Sequence, residues 1–261
     1  MSVDVVTTIV ASSGLAGGLT IIFTVPQIVA LSHASSTPLP RTSYLGASAR
    51  GIFARAIGMQ TALKIAHFGA VRILKNGLDN IGGFGAYNIN IAYGLVAVPA
   101  QAASYNSLTA DVFRYFGKTK SAASGSFFDT ALTFFNTKVK PGFAWTFVRD
   151  SNSVGGGLLL GPIVSKSIAE RRSPEATPTR LEKLVGGTLA GAVCGLATQF
   201  FHNAALTAGR AAELGSSLST LECATTLVRE QGMKSLYKGF PNRVVVIAGM
   251  SGILNIMEPF S

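Results

Sequence analysis

Three long stretches of the sequence contain no Asp, Glu, Lys or Arg, and they constrain the fold more than any other feature. They cover residues 5–32, 81–110 and 184–209. A helix rises about 1.5 Å per residue, so each stretch is long enough to cross a hydrocarbon layer of about 30 Å. Charged residues make up 13% of the chain, about half of the roughly 25% of a soluble domain. These features predict an all-α membrane protein.

A glycine beside a cation, followed by a second and shorter apolar stretch, comes after each charge-free stretch. These hinges are Arg50-Gly51, Lys140-Pro141-Gly142 and Lys238-Gly239. The recurrence predicts one domain of three two-helix repeats, each of which must pack on the others. The predicted repeats are residues 1–80, 81–175 and 176–261, with a turn-rich join at 76–85 between the first two.

The clearest copy is the third, around residues 220–257. Leu221, Ala224 and Leu227 lie at helical spacing, which indicates an amphipathic helix over 220–231, and Gly232 is a typical helix terminator. The hinge 236–240 and an uncharged run, 244–257, follow. This order predicts a short helix at the membrane surface and then a spanning helix. An aromatic stretch at 126–137 predicts a corresponding surface helix in the second copy.

Glycines repeat at every fourth position inside the third charge-free stretch. Gly187, Gly191 and Gly195 have the spacing that lets two helices approach closely within a membrane. We therefore expect them to form a helix–helix interface.

The formal net charge of +10 is best explained by basic loops that face anionic lipid. No basic run is interleaved with aromatic residues, so we expect no nucleic-acid partner. The histidines and cysteines lack the spacing of metal ligands, and no nucleotide motif or catalytic triad is recognisable. We expect neither enzyme activity, nor a metal, nor a cofactor.

The third copy resembles the second half of one repeat in the mitochondrial carrier family. The residues that carry this resemblance are Gln231-Gly232, the Leu-Tyr-Lys-Gly-Phe hinge at 236–240, and Arg243. The resemblance implies six tilted helices around a central cavity, in the mitochondrial inner membrane, with both termini toward the intermembrane space. It also implies short amphipathic helices on the matrix side.

The chain departs from the family at the gates that close the cavity. In the family, a carboxylate and a cation on each odd-numbered helix form a ring of ion pairs on the matrix side. Here the corresponding positions are occupied, in three successive pairs, by Ile28 and Leu31, Gln101 and Ser104, and His202 and Ala205. Near the opposite gate only Glu258 remains. The resemblance therefore implies that the alternating-access switch has lost its ion pairs.

The positions that contact substrate in the family correspond here to Gly58, Arg149 and Val246. Arg149-Asp150 resembles the arginine–acid pair with which amino-acid carriers hold a zwitterion. The alternative interpretations are an internal salt bridge between helices and an arginine that reaches for the membrane interface.

The hinges correspond to positions where the family binds the phosphates of cardiolipin at helix N-termini. The candidate lipid-binding residues are Arg50, Gly51, Lys140, Gly142, Tyr237, Lys238 and Gly239. Features that face lipid are kept, while features of the cavity are lost. This contrast predicts a non-transporting accessory subunit of a large inner-membrane complex, the respiratory chain or ATP synthase. The alternatives are a divergent carrier for an amino acid or similar ion, and a lipid- or proton-conducting relative.

Overall fold

A computed structural model describes residues 3–32, 39, 47–81, 86–118 and 127–256 of the chain. All regular structure in these residues is helical, which confirms the predicted all-α class. The α-helices are α1 (Val3–Ser32), α2 (Ala47–Ile81), α3 (Ala86–Tyr115), α4 (Phe127–Phe134), α5 (Phe143–Asp150), α6 (Gly156–Glu170), α7 (Arg180–Ala197), α8 (Gln199–Glu213), α9 (Thr220–Gln231) and α10 (Phe240–Ile256). Two π-helical turns, Phe135–Val139 and Ser151–Gly155, flank α5, and a 3-10 turn, Met233–Tyr237, precedes α10.

The helix boundaries follow from local chemistry. Thr179 and Ser219 cap α7 and α9, each accepting a backbone hydrogen bond from a glutamate three residues later, Glu182 and Glu222, whose carboxylates reach back to the cap. These reciprocal bonds satisfy donors that a helix start leaves without an intrahelical partner. Gly142, the N-cap of α5, has a φ of +68°. Only glycine adopts such a φ without strain, so the hinge can turn sharply there.

The long helices pack in a ring. The helix α1 contacts α2, and α2 contacts α3. The helix α3 contacts α5 and the π-turn after α5, α6 contacts α7, and α7 contacts α10. The last helix, α10, packs in turn on α1, which closes the ring. The short helix α9 lies against α8 and the 3-10 turn.

Each of the three hinge glycines packs closely on a neighbouring long helix. A Cβ built on Gly51 would lie 3.2 Å from the ring of Tyr115 in α3, and one on Gly142 would lie 3.0 Å from the backbone of Ala205 in α8. A Cβ on Gly239 would lie 2.9 Å from Gln27 in α1. Each hinge therefore packs closely on the long helix that begins the next repeat, and the third packs on the first.

The predicted glycine interface is confirmed, and it lies between α7 and α10. A Cβ on Gly187 would come within 2.5 Å of the carbonyl oxygen of Ser251, and one on Gly191 within 2.6 Å of that of Ile247. Gly195 lies in the same row, and a Cβ there would lie 3.3 Å from the Ile247 side chain. Side chains at these positions would push the two helices apart.

Two helical segments are enclosed on all sides. All ten residues from 101 to 110 in α3 are buried, and so are all ten from 202 to 211 in α8. The helices α1, α3 and α8 contact one another pairwise. Their apolar side chains, including Ile28, Leu31, Leu108 and Leu206, form one hydrophobic cluster. One part of the ring is therefore filled with packed side chains.

Length and composition identify fewer spans than the sequence led us to expect. Within the described residues, one helical segment is long and apolar enough to cross a membrane, 6–32, and a second is added if α7 and α8, bent by 61° at their junction, count as one span. Charges such as Arg55 and Lys64 make α2 less apolar. The six spanning helices remain a prediction.

Several local expectations differ from the structure. The helix α2 begins at Ala47, before the Arg50-Gly51 hinge, and continues to Ile81 through the first part of the expected join at 76–85; residues 82–85 lie outside the described residues. Leu221, expected on the apolar face of α9, is 72% exposed, while Cys223 and Leu227 are buried. The predicted repeat boundary at 175/176, by contrast, falls in the non-helical segment between α6 and α7.

Candidate functional site

The centre of the ring holds a buried ion pair between neighbours in the sequence. Arg149 Nε donates to Asp150 Oδ1 at 2.7 Å, and Arg149 Nη2 donates to Oδ2 at 2.9 Å. The two residues are 1% and 2% exposed. Both carboxylate oxygens are therefore engaged by one guanidinium, in the two-pronged geometry that gives the strongest arginine–carboxylate pairs. The salt bridge is internal, but it joins neighbours within α5 and not two helices, and Arg149 does not reach the surface.

Tyr105 of α3 lies at the middle of this buried polar centre. The guanidinium carbon of Arg149 lies 4.6 Å from the centroid of the Tyr105 ring, and Lys64 Nζ lies 5.5 Å from it. The imidazole of His202 meets the same ring edge-on, with 4.9 Å between centroids. Cations over an aromatic face are stabilised by its negative quadrupole, so one ring helps to hold two buried charges.

Arg243 of α10 braces the bend between α7 and α8. Its Nη2 donates to Thr198 Oγ1 at 2.9 Å, and that hydroxyl donates to the carbonyl of Cys194 at 2.7 Å. Thr198 is the residue at which the two helices meet. A cation supplied by α10 therefore fixes the break between α7 and α8.

Positive charge exceeds negative charge in this centre. Lys64, Arg149 and Arg243 are at most 2% exposed, and they come from α2, α5 and α10, in the second half of each predicted repeat. Asp150 is the only acidic residue among the described residues that is equally buried, and Arg149 engages it. Lys64 Nζ donates to the neutral Gln101 Oε1 at 2.5 Å, so its hydrogen-bond partner carries no negative charge.

The six gate positions fall into two groups. Ile28, Leu31 and Ala205 pack in apolar surroundings. Gln101 accepts from Lys64, Ser104 bonds the amide of Gln60, and His202 Nδ1 lies 3.3 Å from Arg149 Nη1. Among the residues described, no two gate positions form an ion pair. Glu258, near the opposite gate, lies outside the described residues.

Neutral hydrogen bonds link α1, α8 and the last hinge beside the gate positions. Gln27 Nε2 in α1 donates to Asn203 Oδ1 in α8 at 2.7 Å. Asn203 Nδ2 in turn contacts the backbone carbonyls of Ser235 and Lys238 at 2.8 and 3.0 Å. One asparagine therefore ties the first and third repeats to the 3-10 turn of the last hinge.

A charged bridge reinforces the same junction. Arg210 of α8 donates to the carbonyl of Leu31 at 3.2 Å and to Glu230 of α9 at 2.6 Å. Gln231 also donates to the Leu31 carbonyl. The end of α1 is therefore fastened to both α8 and α9.

The structure does not bring the three predicted substrate positions together. Gly58 lies on the exposed face of α2, because buried positions on that helix are Ala56, Gln60 and Lys64. Val246 belongs to an apolar cluster that includes Phe68. Of the three, Arg149 alone lies in the polar centre.

The predicted lipid residues lie at the hinges, and those of the second repeat line a groove of about 1050 Å³. Lys140, Gly142 and Phe143 form one wall, and Ser219 and Thr220 form the other. The groove therefore faces the N-termini of both α5 and α9. Trp145 Nε1 donates to the Thr220 carbonyl at 2.7 Å, which joins the two helices.

The other predicted lipid residues have less uniform surroundings. Arg50 and Tyr237 are exposed, whereas Gly51 and Gly239 pack on neighbouring helices. Lys238 Nζ donates to Gln231 Oε1 at 3.1 Å. Cys223 also lines the groove between α5 and α9, and burial raises the pKa of its thiol to about 11, so the thiol stays protonated and weakly nucleophilic at neutral pH.

Sequence reasoning did not identify the roles of Lys64 and Tyr105. Lys64 gave a signal, because an isolated lysine inside an apolar stretch must find a polar environment. Tyr105 gave none, since nothing in its local sequence indicates that cations from two other helices meet on its ring. Arg243 was identified only through the family resemblance, and its bond to Thr198 depends on the bend at 198.

The chain matches none of the models of known protein families, and no curated protein sequence matches it.

Proposed function

We propose that the chain forms a carrier-type ring of six spanning helices in the mitochondrial inner membrane. In this proposal it does not transport and serves as a structural subunit of a larger complex, the respiratory chain or ATP synthase. The closed order of helix contacts supports the ring, and the close packing of Gly51, Gly142 and Gly239 on neighbouring helices is compatible with three repeats. The termini would face the intermembrane space.

The observation that carries the non-transporting role is the enclosure of 101–110 and 202–211. An alternating-access carrier must open the junction between its repeats and close it again, so two states of similar energy are needed. Here packed side chains and the bonds of Gln27, Asn203 and Arg210 fasten that junction in one arrangement. Opening it would expose buried donors and acceptors at once.

The buried pair supports the same function. Asp150 already engages the guanidinium of Arg149 through both its oxygens. A zwitterionic substrate would have to displace this carboxylate from a site closed to solvent, which leaves a charge uncompensated. The pair is therefore better suited to stabilising the ring than to binding a passing solute.

An exposed apolar row on α7 gives the subunit a surface for its surroundings. Leu181, Val185, Leu189 and Val193 recur at every fourth position and are 40–68% exposed. Lipid tails or an apolar helix of a neighbouring subunit would cover such a row.

The groove between α5 and α9 is the proposed cardiolipin site. The N-terminal residues of α5 and α9 and the exposed residue Lys140 line it, and helix N-termini and ammonium groups favour phosphate. Glu222 also lines the groove, with its carboxylate engaged at the Ser219 cap. The test is native mass spectrometry of the purified chain with cardiolipin. We expect Lys140→Gln to reduce retained lipid, and Lys118→Gln, at an exposed lysine outside the groove, to leave it unchanged. Equal retention in both variants would contradict this site.

Reconstitution in liposomes tests whether the chain transports a solute. Purified chain is reconstituted in liposomes, and the exchange of amino acids and small carboxylates across the bilayer is measured against empty vesicles. We expect no saturable uptake. Saturable uptake that Arg149→Ala abolishes would overturn the structural role and establish a divergent carrier.

A further inference from the structure

A small pocket beside the polar centre contains buried donors that no protein group satisfies. His67 of α2, Ser153 of the π-turn and Ser251 of α10 line it, with Ile247 and Met250 as apolar wall. Both ring nitrogens of His67 and the hydroxyl of Ser153 have no hydrogen-bond partner in the protein, and each residue is 1% exposed. A buried polar atom without a partner destabilises the fold, so a ligand that fills these bonds would stabilise it.

The size of the pocket restricts what can fill it. Its volume is about 20 Å³, a little more than the roughly 10–15 Å³ that one water requires on the same measure. A single-atom ion or one water fits, and an organic anion does not. Gly157 keeps this space open, because a Cβ there would lie 2.7 Å from the Ser251 hydroxyl.

The surrounding charge selects an anion. His67 lies one helical turn from Lys64 on the same face of α2, so the pocket lies in the field of a buried ammonium group. Lys64 and Arg243 are both buried with neutral hydrogen-bond partners, Gln101 and Thr198. No carboxylate lines the pocket. A mobile anion would supply the compensating charge that buried cations need.

We propose that this pocket binds a monatomic anion of the halide class, chloride in the cell. The N–H of His67 and the hydroxyls of Ser153 and Ser251 donate to it, and Lys64 holds it electrostatically. The site is separate from the groove between α5 and α9, and it does not depend on whether the chain transports a solute.

The chain supplies a matched pair of variants for the test. Ser151 and Ser153 lie two residues apart on one π-turn, and both have buried hydroxyls without a partner. Only Ser153 lines the pocket. Ser153→Ala removes a donor from the proposed site, and Ser151→Ala makes the same chemical change beside it.

The measurement is the thermal unfolding temperature of the full chain in detergent. Sodium chloride, sodium bromide or sodium gluconate is titrated at constant ionic strength. We expect a saturable rise with chloride and bromide and none with gluconate, which is too large to enter. Ser153→Ala should weaken the apparent affinity about tenfold or more, Lys64→Met should abolish the rise, and Ser151→Ala should leave it intact. In crystals grown with bromide, the anomalous signal should lie between Ser153 and His67.

Other outcomes would overturn the proposal. Equal unfolding temperatures in chloride and gluconate, or an equal effect of the two serine variants, would show that no anion is bound there. Bromide-soaked crystals with water alone in the pocket would show that its donors are satisfied by solvent.

Discussion

Arg149 and Asp150 are adjacent in the chain and still form a two-pronged ion pair, with nitrogen–oxygen distances of 2.7 and 2.9 Å. Adjacent residues on a regular α-helix point about 100° apart and rarely meet. Here α5 ends at Asp150, and the wider π-turn begins at Ser151. The pair therefore lies where the helix changes its winding, among cations from α2 and α10.

Removing the carboxylate of this pair should destabilise the ring strongly. Asp150→Asn leaves the Arg149 guanidinium buried without its counter-charge, and breaking a buried pair costs about 3–5 kcal/mol. We expect a marked fall in unfolding temperature in detergent. The control is Glu170→Gln, which breaks the exposed pair of Lys166 and Glu170, 3.8 Å apart; we expect a change within about 0.5 kcal/mol. Similar effects of both variants would contradict the importance given to the buried pair.

The contact between α7 and α10 should not tolerate a methyl group. In Gly191→Ala the new Cβ would lie 2.6 Å from the carbonyl oxygen of Ile247. The helices must therefore separate, which should lower the free energy of unfolding by about 1–3 kcal/mol. Gly69→Ala is the matched control, because a Cβ there meets nothing within 4 Å. It should be neutral or stabilise the chain by up to about 1 kcal/mol. An unfolding temperature that is unchanged in Gly191→Ala would contradict the close packing.

Loss of the asparagine at the repeat junction should loosen the last hinge. Asn203→Leu leaves the Gln27 amide and the carbonyls of Ser235 and Lys238 without this partner, at about 1–3 kcal/mol for each group left unsatisfied. We expect a lower unfolding temperature and faster amide exchange in the turn at 233–237. Asn152→Leu, at an exposed asparagine bonded only to the Val148 carbonyl, should change neither. Unchanged exchange in Asn203→Leu would show that the junction is held by other contacts.

Acid should remove part of the capping of α7 and α9. Hydrogen bonds from the backbone and hydroxyl of Thr179 and Ser219 hold the pKa values of Glu182 and Glu222 below their ordinary value of 4.5. Their contribution is therefore complete above pH 4.5 and is lost as the pH falls through the lowered pKa. The unfolding temperature of the wild type should exceed that of Glu182→Gln/Glu222→Gln at pH 7, and the difference should shrink below pH 4.5. A difference that does not shrink as the pH falls below 4.5 would contradict this assignment.

Local sequence signals predicted much of the helical order. The apolar spacing over 220–231 and the terminator Gly232 correctly predicted α9, and the glycine spacing in α7 correctly predicted a close interface. These features depend on residues only a few positions apart, so periodicity and turn chemistry are sufficient to find them.

The buried polar centre could not be predicted in the same way. Lys64, Tyr105 and Arg149 belong to three separate helices, and their meeting depends on how the ring closes. Asn203 has no local signal of its bonds to Gln27 and Lys238, which depend on the approach of α1 and the last hinge. Tertiary packing decides such contacts, and of this centre the sequence singled out only Arg149 and Asp150 as a pair.

The central claim is that this chain is a fixed part of a larger membrane assembly. The most direct test is the native mass of the particle that contains it, after mild detergent extraction of mitochondrial membranes and a salt wash. We expect it to migrate with an assembly many times larger than its own 27.1 kDa and to remain there after the wash. Migration as a single chain would contradict the structural role and make Arg149 and Asp150 the first place to look for a substrate.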